Sequence, residues 1–194
     1  MFEYLDYPLI PLDLKDHIVD LAFKNSSRQI DRFKKFYIDD RIESAIDDKY
    51  PNIEIGLGIS PKEAENISGM CIMTMFQSDE VTNWIRKNIT DSFMAVHIQS
   101  FDHGSLFFPH IDLVRTKALN YLIESGDADT LFFEPLEEFK NLIPQPSTYI
   151  PHNRIKEIKK IKIETNRWHQ LDVNKIHNVE NIKSRRLAIT VSFV

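Results

Sequence analysis

Apolar positions recur at helical spacing early in the chain and at strand spacing later. Leu14, Ile18, Leu21 and Ala22 fall three or four residues apart within 13–24, and Ile42, Ala45 and Ile46 repeat that interval within 41–49. Such spacing predicts helices with one buried face. Ser60, Pro61 and Glu63 supply a capping signal with proline at the first helical position, and Val81, Trp84 and Ile85 mark another amphipathic stretch over 79–89. Residues 1–90 are therefore expected to form a helix-rich supporting layer.

After Asp91 the period shortens to two. Runs rich in β-branched and aromatic residues occupy 93–101, 106–114, 117–123 and 130–134, and others follow at 158–164, 168–173, 175–179 and 186–194. About eight strands without a helical pattern between them predict an α+β, mainly β chain, built as an antiparallel barrel or a double-sheet jelly roll over residues 91–194. Residues 135–151, with prolines at 135, 144, 146 and 151, read as one long irregular loop, a common form of lid.

The chain of 194 residues, 42% hydrophobic with 13 Phe, can fill one core, so a single domain over 1–194 is expected. The net charge of -5 provides no field that would draw in a phosphate backbone, which argues against nucleic acid as a partner. The local basic run over 154–162 is interrupted by Ile155, Ile158 and Ile161, as on a solvated strand face. Cys71 stands alone, so neither an intramolecular disulfide nor a cysteine-built zinc knuckle is available, and a reducing, cytoplasmic setting is expected. No apolar run nears the roughly 18 residues of a membrane span, and the opening MFEYLDYPLI has acids where a signal peptide has bases. Only five glycines are present. Pro61 stands where a dinucleotide fingerprint beginning at Gly56 and Gly58 would need its third glycine, and GK[ST], GxSxG and HExxH are all absent.

Chemistry concentrates at His110-Ile111-Asp112. Residues i and i+2 of a strand point to the same side, about 6.8 Å apart or less, so this imidazole and carboxylate can converge on one ion. His177 becomes a third ligand if its strand lies beside the first. Two imidazoles and one carboxylate leave coordination positions open, the arrangement used by non-heme Fe(II) oxygenases. A closed zinc site would want a fourth ligand, and no spacing singles out His17, His97, His103, His152 or His169 for that part. Taken alone, HxD is a weak pattern that chance supplies readily. The last strand adds to it, because Arg186, Ala188, Thr190 and Ser192 share one face while Leu187, Ile189, Val191 and Phe193 share the other. If Arg186 points inward, its guanidinium needs an anion, and a carboxylate fits its fork. The plainer alternative places Arg186, like Arg185, at a solvent edge.

HxD on a strand, a long interval, then His177 and an arginine on a final strand together resemble the 2-oxoglutarate and Fe(II)-dependent dioxygenase superfamily, over residues 93–194. Gly104, Arg115, Ala118-Leu119-Asn120, Leu171-Asp172 and the run from His177 to Asn181 are most similar to small aspartyl/asparaginyl β-hydroxylase-like or prolyl-hydroxylase-like members. The resemblance implies a double-stranded β-helix in which His110, Asp112 and His177 hold iron. It also implies that Arg186 binds the distal carboxylate of 2-oxoglutarate. Ala188 stands where many members have Ser or Thr, so Asn120, or failing it Thr190, is the expected helper, with Arg185 a lesser candidate for the anchor. The implied reaction consumes O2, hydroxylates an unactivated C–H bond of an amino-acid side chain, free or peptidyl, and releases succinate and CO2. A cupin-like module that binds a metal or a small acid without turnover is the alternative. Arg115, His97, Gln99, His103 and Trp168 are weaker candidates around the barrel, each with a structural role as the simpler expectation.

Overall fold

The computed structural model describes residues 2–26, 45–46, 54–55, 73–103, 109–112, 115–138, 148–150 and 152–194. The strands are β1 (Phe2–Leu5), β2 (Ala45–Ile46), β3 (Glu54–Ile55), β4 (Met73–Phe76), β5 (Ala95–Phe101), β6 (His110–Ile111), β7 (Lys117–Ser125), β8 (Asp129–Pro135), β9 (Thr148–Tyr149), β10 (Ile155–Ile161), β11 (Trp168–Asp172), β12 (His177–Glu180) and β13 (Arg186–Phe193). Among the described residues the helices are α1 (Leu12–Ser26) and α2 (Asp79–Asn88), with a 3-10 turn at His152–Arg154.

Four antiparallel pairings are nested one inside another: β5 with β13, β6 with β12, β7 with β11, and β8 with β10. The chain is thus folded in half, and the doubled ribbon wraps so that β7 also meets β13 and β8 also meets β12. The product is a jelly roll, with one sheet ordered β1-β11-β7-β13-β5-β4 and a facing sheet ordered β10-β8-β12-β6-β9.

Alternation sorts the side chains of the larger sheet. Val96, Ile98, Leu119, Tyr121, Trp168, Leu187, Ile189 and Val191 point outward into a buried cluster with Ile10, Leu14, Ile18 and Ala22 around α1 and with Val81 and Ile85 of α2. Both helices therefore form a layer on the outer face, as their periodicity predicts. Ser78 caps α2 by accepting the Val81 N–H at 3.4 Å. The inner face carries Phe101, Ala118, Asn120, Leu122, Ala188 and Thr190 toward the second sheet. Phe132 packs there against Ala118 and Leu171.

The N-terminal part is less purely helical than its spacing predicts. β1 and β4 extend the large sheet at its two edges, against β11 and β5. Ala45 and Ile46, expected within a helix over 41–49, form β2 and pair with β3; an apolar run this short satisfies either period. The expected helix at Ser60 and most of the expected lid lie outside the described residues, although β9 falls within the stretch read as loop. Of the expected strand 106–114, the described part pairs only over His110–Ile111. Among the described residues no helix is long and apolar enough to cross a membrane.

The β7–β8 turn needs Gly126. Its φ is 61°, and a Cβ there would lie 2.7 Å from the Ser184 carbonyl oxygen and 3.1 Å from Cβ of Arg186. The turn therefore seats the start of β13 closely.

Ile189 is fully buried at the sheet–helix junction. Ile189→Ala should lower unfolding free energy by about 2–5 kcal/mol, read as a fall in urea midpoint at unchanged slope.

Candidate metal centre

His110 and His177 stand directly opposite each other in the β6–β12 pairing, and His177 is also opposite inward-facing Phe132. Directly opposed residues share a face, so both imidazoles point between the sheets. Their ring centroids lie 4.2 Å apart. Asp112 follows two residues after His110 and is fixed where the chain leaves β6, its N–H donating to the Val173 carbonyl at 2.9 Å. The ligating atoms of His110, Asp112 and His177 all lie within 4.8 Å of one another, and all three residues are buried.

The surroundings prepare these groups for a cation. Nδ1 of His177 lies 2.8 Å from the Lys175 carbonyl oxygen. Because a carbonyl only accepts, Nδ1 carries the proton and Nε2 offers its lone pair to the cluster. Burial pushes the His177 imidazole below the usual histidine range, despite the opposing charge of Asp112, and the neutral form is the one that ligates. Arg115 brings Nε to 3.0 Å and Nη2 to 2.8 Å from Oδ2 of Asp112, while its Nη1 donates to Ser192 Oγ at 2.9 Å. Expected as a surface ion pair, Arg115 in fact ties a carboxylate of the cluster to the inner face of β13. Two imidazoles and one acid, with no fourth His, Cys, Asp or Glu grouped with them among the described residues, match the donor set of an open non-heme iron site.

Arg186 lies on the inner side of β13, opposite Ser125 and Phe101 in register, and is 7% exposed. Burial draws its guanidinium down to about 10. No hydrogen bond or ion pair reaches its Nε from the described residues. Arg185 behaves oppositely, with Nε and Nη2 on the two oxygens of Glu124 at 2.7 and 2.6 Å. A guanidinium so satisfied has no use for a ligand, whereas Arg186 fits an incoming carboxylate.

Asn120 is opposite Thr190, not Arg186. The Thr190 hydroxyl donates to Asn120 Oδ1 at 2.7 Å, with Gln99 Oε1 at 3.2 Å. Asn120 and Thr190 thus belong to a polar ladder across β5, β13 and β7, four residues along β13 from the guanidinium. His97 joins the ladder's edge, its Nε2 lying 3.2 Å from the Gln77 amide. His103 is exposed in a turn. Trp168 is core, its Nε1 donating to the Pro8 carbonyl at 2.7 Å. The basic run meets local acids, with Arg154 on Glu137, Lys156 on Glu134 and Lys162 on Asp127.

Sequence reasoning missed His169. It sits on β11 opposite Asn120, is 1% exposed, and neither ring nitrogen has a hydrogen-bond partner among the described residues. Burial and the nearby Arg186 charge hold its imidazole down to about 3; the Arg167 backbone opposes this slightly without being aligned for a hydrogen bond. The expected strand over 168–173 assigned this histidine no face, and nothing in its pattern revealed the buried surroundings.

No protein-family model matches the chain, and no curated protein matches it. Among solved structures, the X-ray structure of E. coli YcfD is 11% identical with TM-score 0.42, over 59% of this chain and 29% of that one. YcfD, described as a ribosomal oxygenase from Escherichia coli in complex with cobalt and 2-oxoglutarate, is similar at 11% identity and TM-score 0.38, over 59% and 27%. An RmlC-like cupin protein from Desulfovibrio desulfuricans aligns over 83% of this chain and 97% of its own, at 11% identity and TM-score 0.28. The chain thus spans under a third of the YcfD chains. At such identities and scores, residue roles rest on this chain's own geometry.

Removing Arg115 should loosen Asp112. Arg115→Ala is expected to weaken Co(II) or Zn(II) binding by about 10- to 100-fold, measured by competition with a chromogenic chelator, without unfolding the protein. The unfolded chain protonates His169 near 6.5, whereas the folded chain holds the proton off until about 3. Between those limits the unfolded state carries the extra proton, so stability is full above the upper limit and falls as pH drops, by up to about 1.4 kcal/mol per pH unit. Urea midpoints recorded on acidification should show this decline, and His169→Leu should flatten it.

Proposed function

We propose that this chain is an Fe(II)- and 2-oxoglutarate-dependent dioxygenase. It hydroxylates an unactivated C–H bond of an amino-acid side chain, free or in a peptide, in the cytoplasm. The observation that carries the reading is the coexistence, inside one jelly roll, of an open two-histidine, one-carboxylate cluster and a buried guanidinium whose Nε has no hydrogen-bond partner among the described residues. A cupin-like module that binds only a metal has no use for the second feature, and one that binds a small acid without turnover is separated by the absence of succinate formation.

The division of labour follows from the contacts. His110 and His177 would hold the iron through neutral imidazoles, and the Lys175 carbonyl keeps His177 in the ligating tautomer. Asp112 would supply the single anionic ligand, oriented by Arg115. Arg186 would clamp the distal carboxylate of 2-oxoglutarate, which replaces its lost hydration. When bound, iron and cosubstrate supply the oxidising chemistry, in which O2 and 2-oxoglutarate become succinate and CO2 as one oxygen atom passes to the C–H bond. The chain's own part is to set these groups in order and to exclude bulk water from between the sheets, where Phe101, Phe132, Leu122 and Ala188 are buried. The amide and hydroxyl ladder of Gln99, Thr190 and Asn120 provides neutral donors and acceptors on the same inner face, suited to a small polar or peptide substrate. The net charge of -5, with the basic run already paired to local acids, disfavours nucleic acid.

Anaerobic addition of Fe(II) and then 2-oxoglutarate should produce a weak metal-to-ligand charge-transfer band in the visible. Admitting O2 should then bleach it with formation of succinate. Absence of the band at saturating cosubstrate would sink the proposal. Arg186→Ala should raise the 2-oxoglutarate Kd by about 10-fold or more while leaving metal content unchanged.

A further inference from the structure

Two arginines stand side by side where β13 begins, and they meet different fates. Arg185 holds the two oxygens of Glu124 through Nε and Nη2 at 2.7 and 2.6 Å, while Nε of Arg186 has no hydrogen-bond partner among the described residues. The neighbouring strand explains the difference. Along β7 the register sets Leu122 opposite Ala188, then Glu124 opposite Leu187 and Ser125 opposite Arg186, so β7 takes three steps where β13 takes two. Ile123 is the surplus residue of a β-bulge. Both ends of this stretch are pinned. Upstream, Leu119 and Tyr121 face Val191 and Ile189 within the apolar outer cluster. Downstream, the Lys183 N–H donates to the Gly126 carbonyl at 2.8 Å, and Gly126 lies so close to β13 that a Cβ there would fall 3.1 Å from Cβ of Arg186. An extra residue between fixed ends has to bulge.

The bulge decides where an acid goes. In an unbroken ladder Ile123 would oppose Leu187 and Glu124 would oppose Arg186, and directly opposed residues share a face. Glu124 would then enter the inner face and neutralise the buried guanidinium. Instead Glu124 turns outward together with Ile123, which packs on the outer cluster, and Ser125 takes the place opposite Arg186. Ser125 carries no charge, and its Oγ accepts the Asp127 N–H at 3.2 Å. With side chains 28% and 34% exposed, the Arg185–Glu124 pair contributes little to stability. Its larger effect is to occupy the carboxylate.

We propose that the β7 bulge is a positioning device: it directs the Glu124 carboxylate to Arg185 and withholds it from Arg186, which keeps the inward guanidinium open to a carboxylate from outside the chain. Glu124 and Ser125 are positioning residues in this scheme. Neither has to touch the ligand, and their order along the strand sets the charge of the inner face. The identity of the incoming carboxylate, the distal one of 2-oxoglutarate, rests on the dioxygenase reading; the pairing of Glu124 with Arg185 does not.

The test exchanges the two residues, Glu124→Ser with Ser125→Glu, which keeps composition and net charge and moves the acid by one position onto the inner face. Titration calorimetry on the Zn(II)-loaded protein should show 2-oxoglutarate weakened by about 10- to 100-fold, with Zn(II) affinity within about 2-fold of the parent. Glu124→Ser with Ser125→Gln has a side chain of the same size at the inner position but no charge there, and it should recover most of the loss. Unchanged 2-oxoglutarate affinity in the exchanged protein, or an equal loss in the Gln form, overturns the assignment. The unaltered chain labelled with 15N arginine offers a measurement free of folding defects, with Arg185→Lys and Arg186→Lys spectra to identify the signals. Without ligand, the Arg185 Nε–H should resonate downfield as a carboxylate-bound group and that of Arg186 should not; two downfield signals overturn the proposal. Added 2-oxoglutarate should move the Arg186 signal alone. If the ligand-free spectrum is as expected but the parent binds no 2-oxoglutarate, the pairing stands and the dioxygenase reading alone falls.

Discussion

The cluster depends on the register between β6 and β12. His110 and His177 meet because residue 110 is paired with residue 177, and the β12–β8 pairing sets His177 across from Phe132 on the other side. Strand periodicity makes this unforgiving, since a slip of one residue would turn His177 outward and bring Ile176 or Asn178 into its place. Asp112 is held by separate means, through its own N–H on Val173 and the Arg115 clamp. Two ligands are thus placed by sheet geometry and one by local bonds, which allows the acid to be tuned without disturbing the imidazoles.

A tension runs through the inner face of the large sheet. The outer face is largely apolar where it packs on α1 and α2, so it supplies stability with few polar complications. The inner face instead carries Arg186, His169, Asn120, Thr190 and Ser192, all buried. Groups of this kind lower the stability of the empty protein, and they persist where the arrangement serves something other than folding. The helical layer is the compensation: apolar burial on one side of the sheet offsets the cost of the polar groups on the other.

Much of this was legible in the sequence. The helical spacing of Leu14, Ile18 and Ala22, the alternation from Arg186 to Phe193, and the shared direction of His110 and Asp112 all follow from local periodicity. The edge strands β1 and β4 were not legible, because each has only four residues and its partner lies far along the chain. Ala45 and Ile46 fit a helical template equally well, and only pairing with Glu54 and Ile55 decides the matter. The roles of Arg115 and His169 were hidden for a different reason. Each is defined by neighbours on another strand, Ser192 for the first and Phe2 and Tyr4 for the second, and a single sequence carries no trace of such proximity. Arg185 and Arg186 were ambiguous until Glu124 was seen to hold one of them.

The position of β13 has a consequence for synthesis. This strand, the last of those described, runs down the middle of the large sheet between β7 and β5. Until residue 193 has left the ribosome, β5 and β7 have no common neighbour, and the greasy surface formed by Val96, Ile98, Leu119 and Tyr121 stays divided and open to water. Closure of this sheet must therefore wait until β13 has emerged, and a chain stalled or truncated before it would be a client for chaperones rather than a partly working protein.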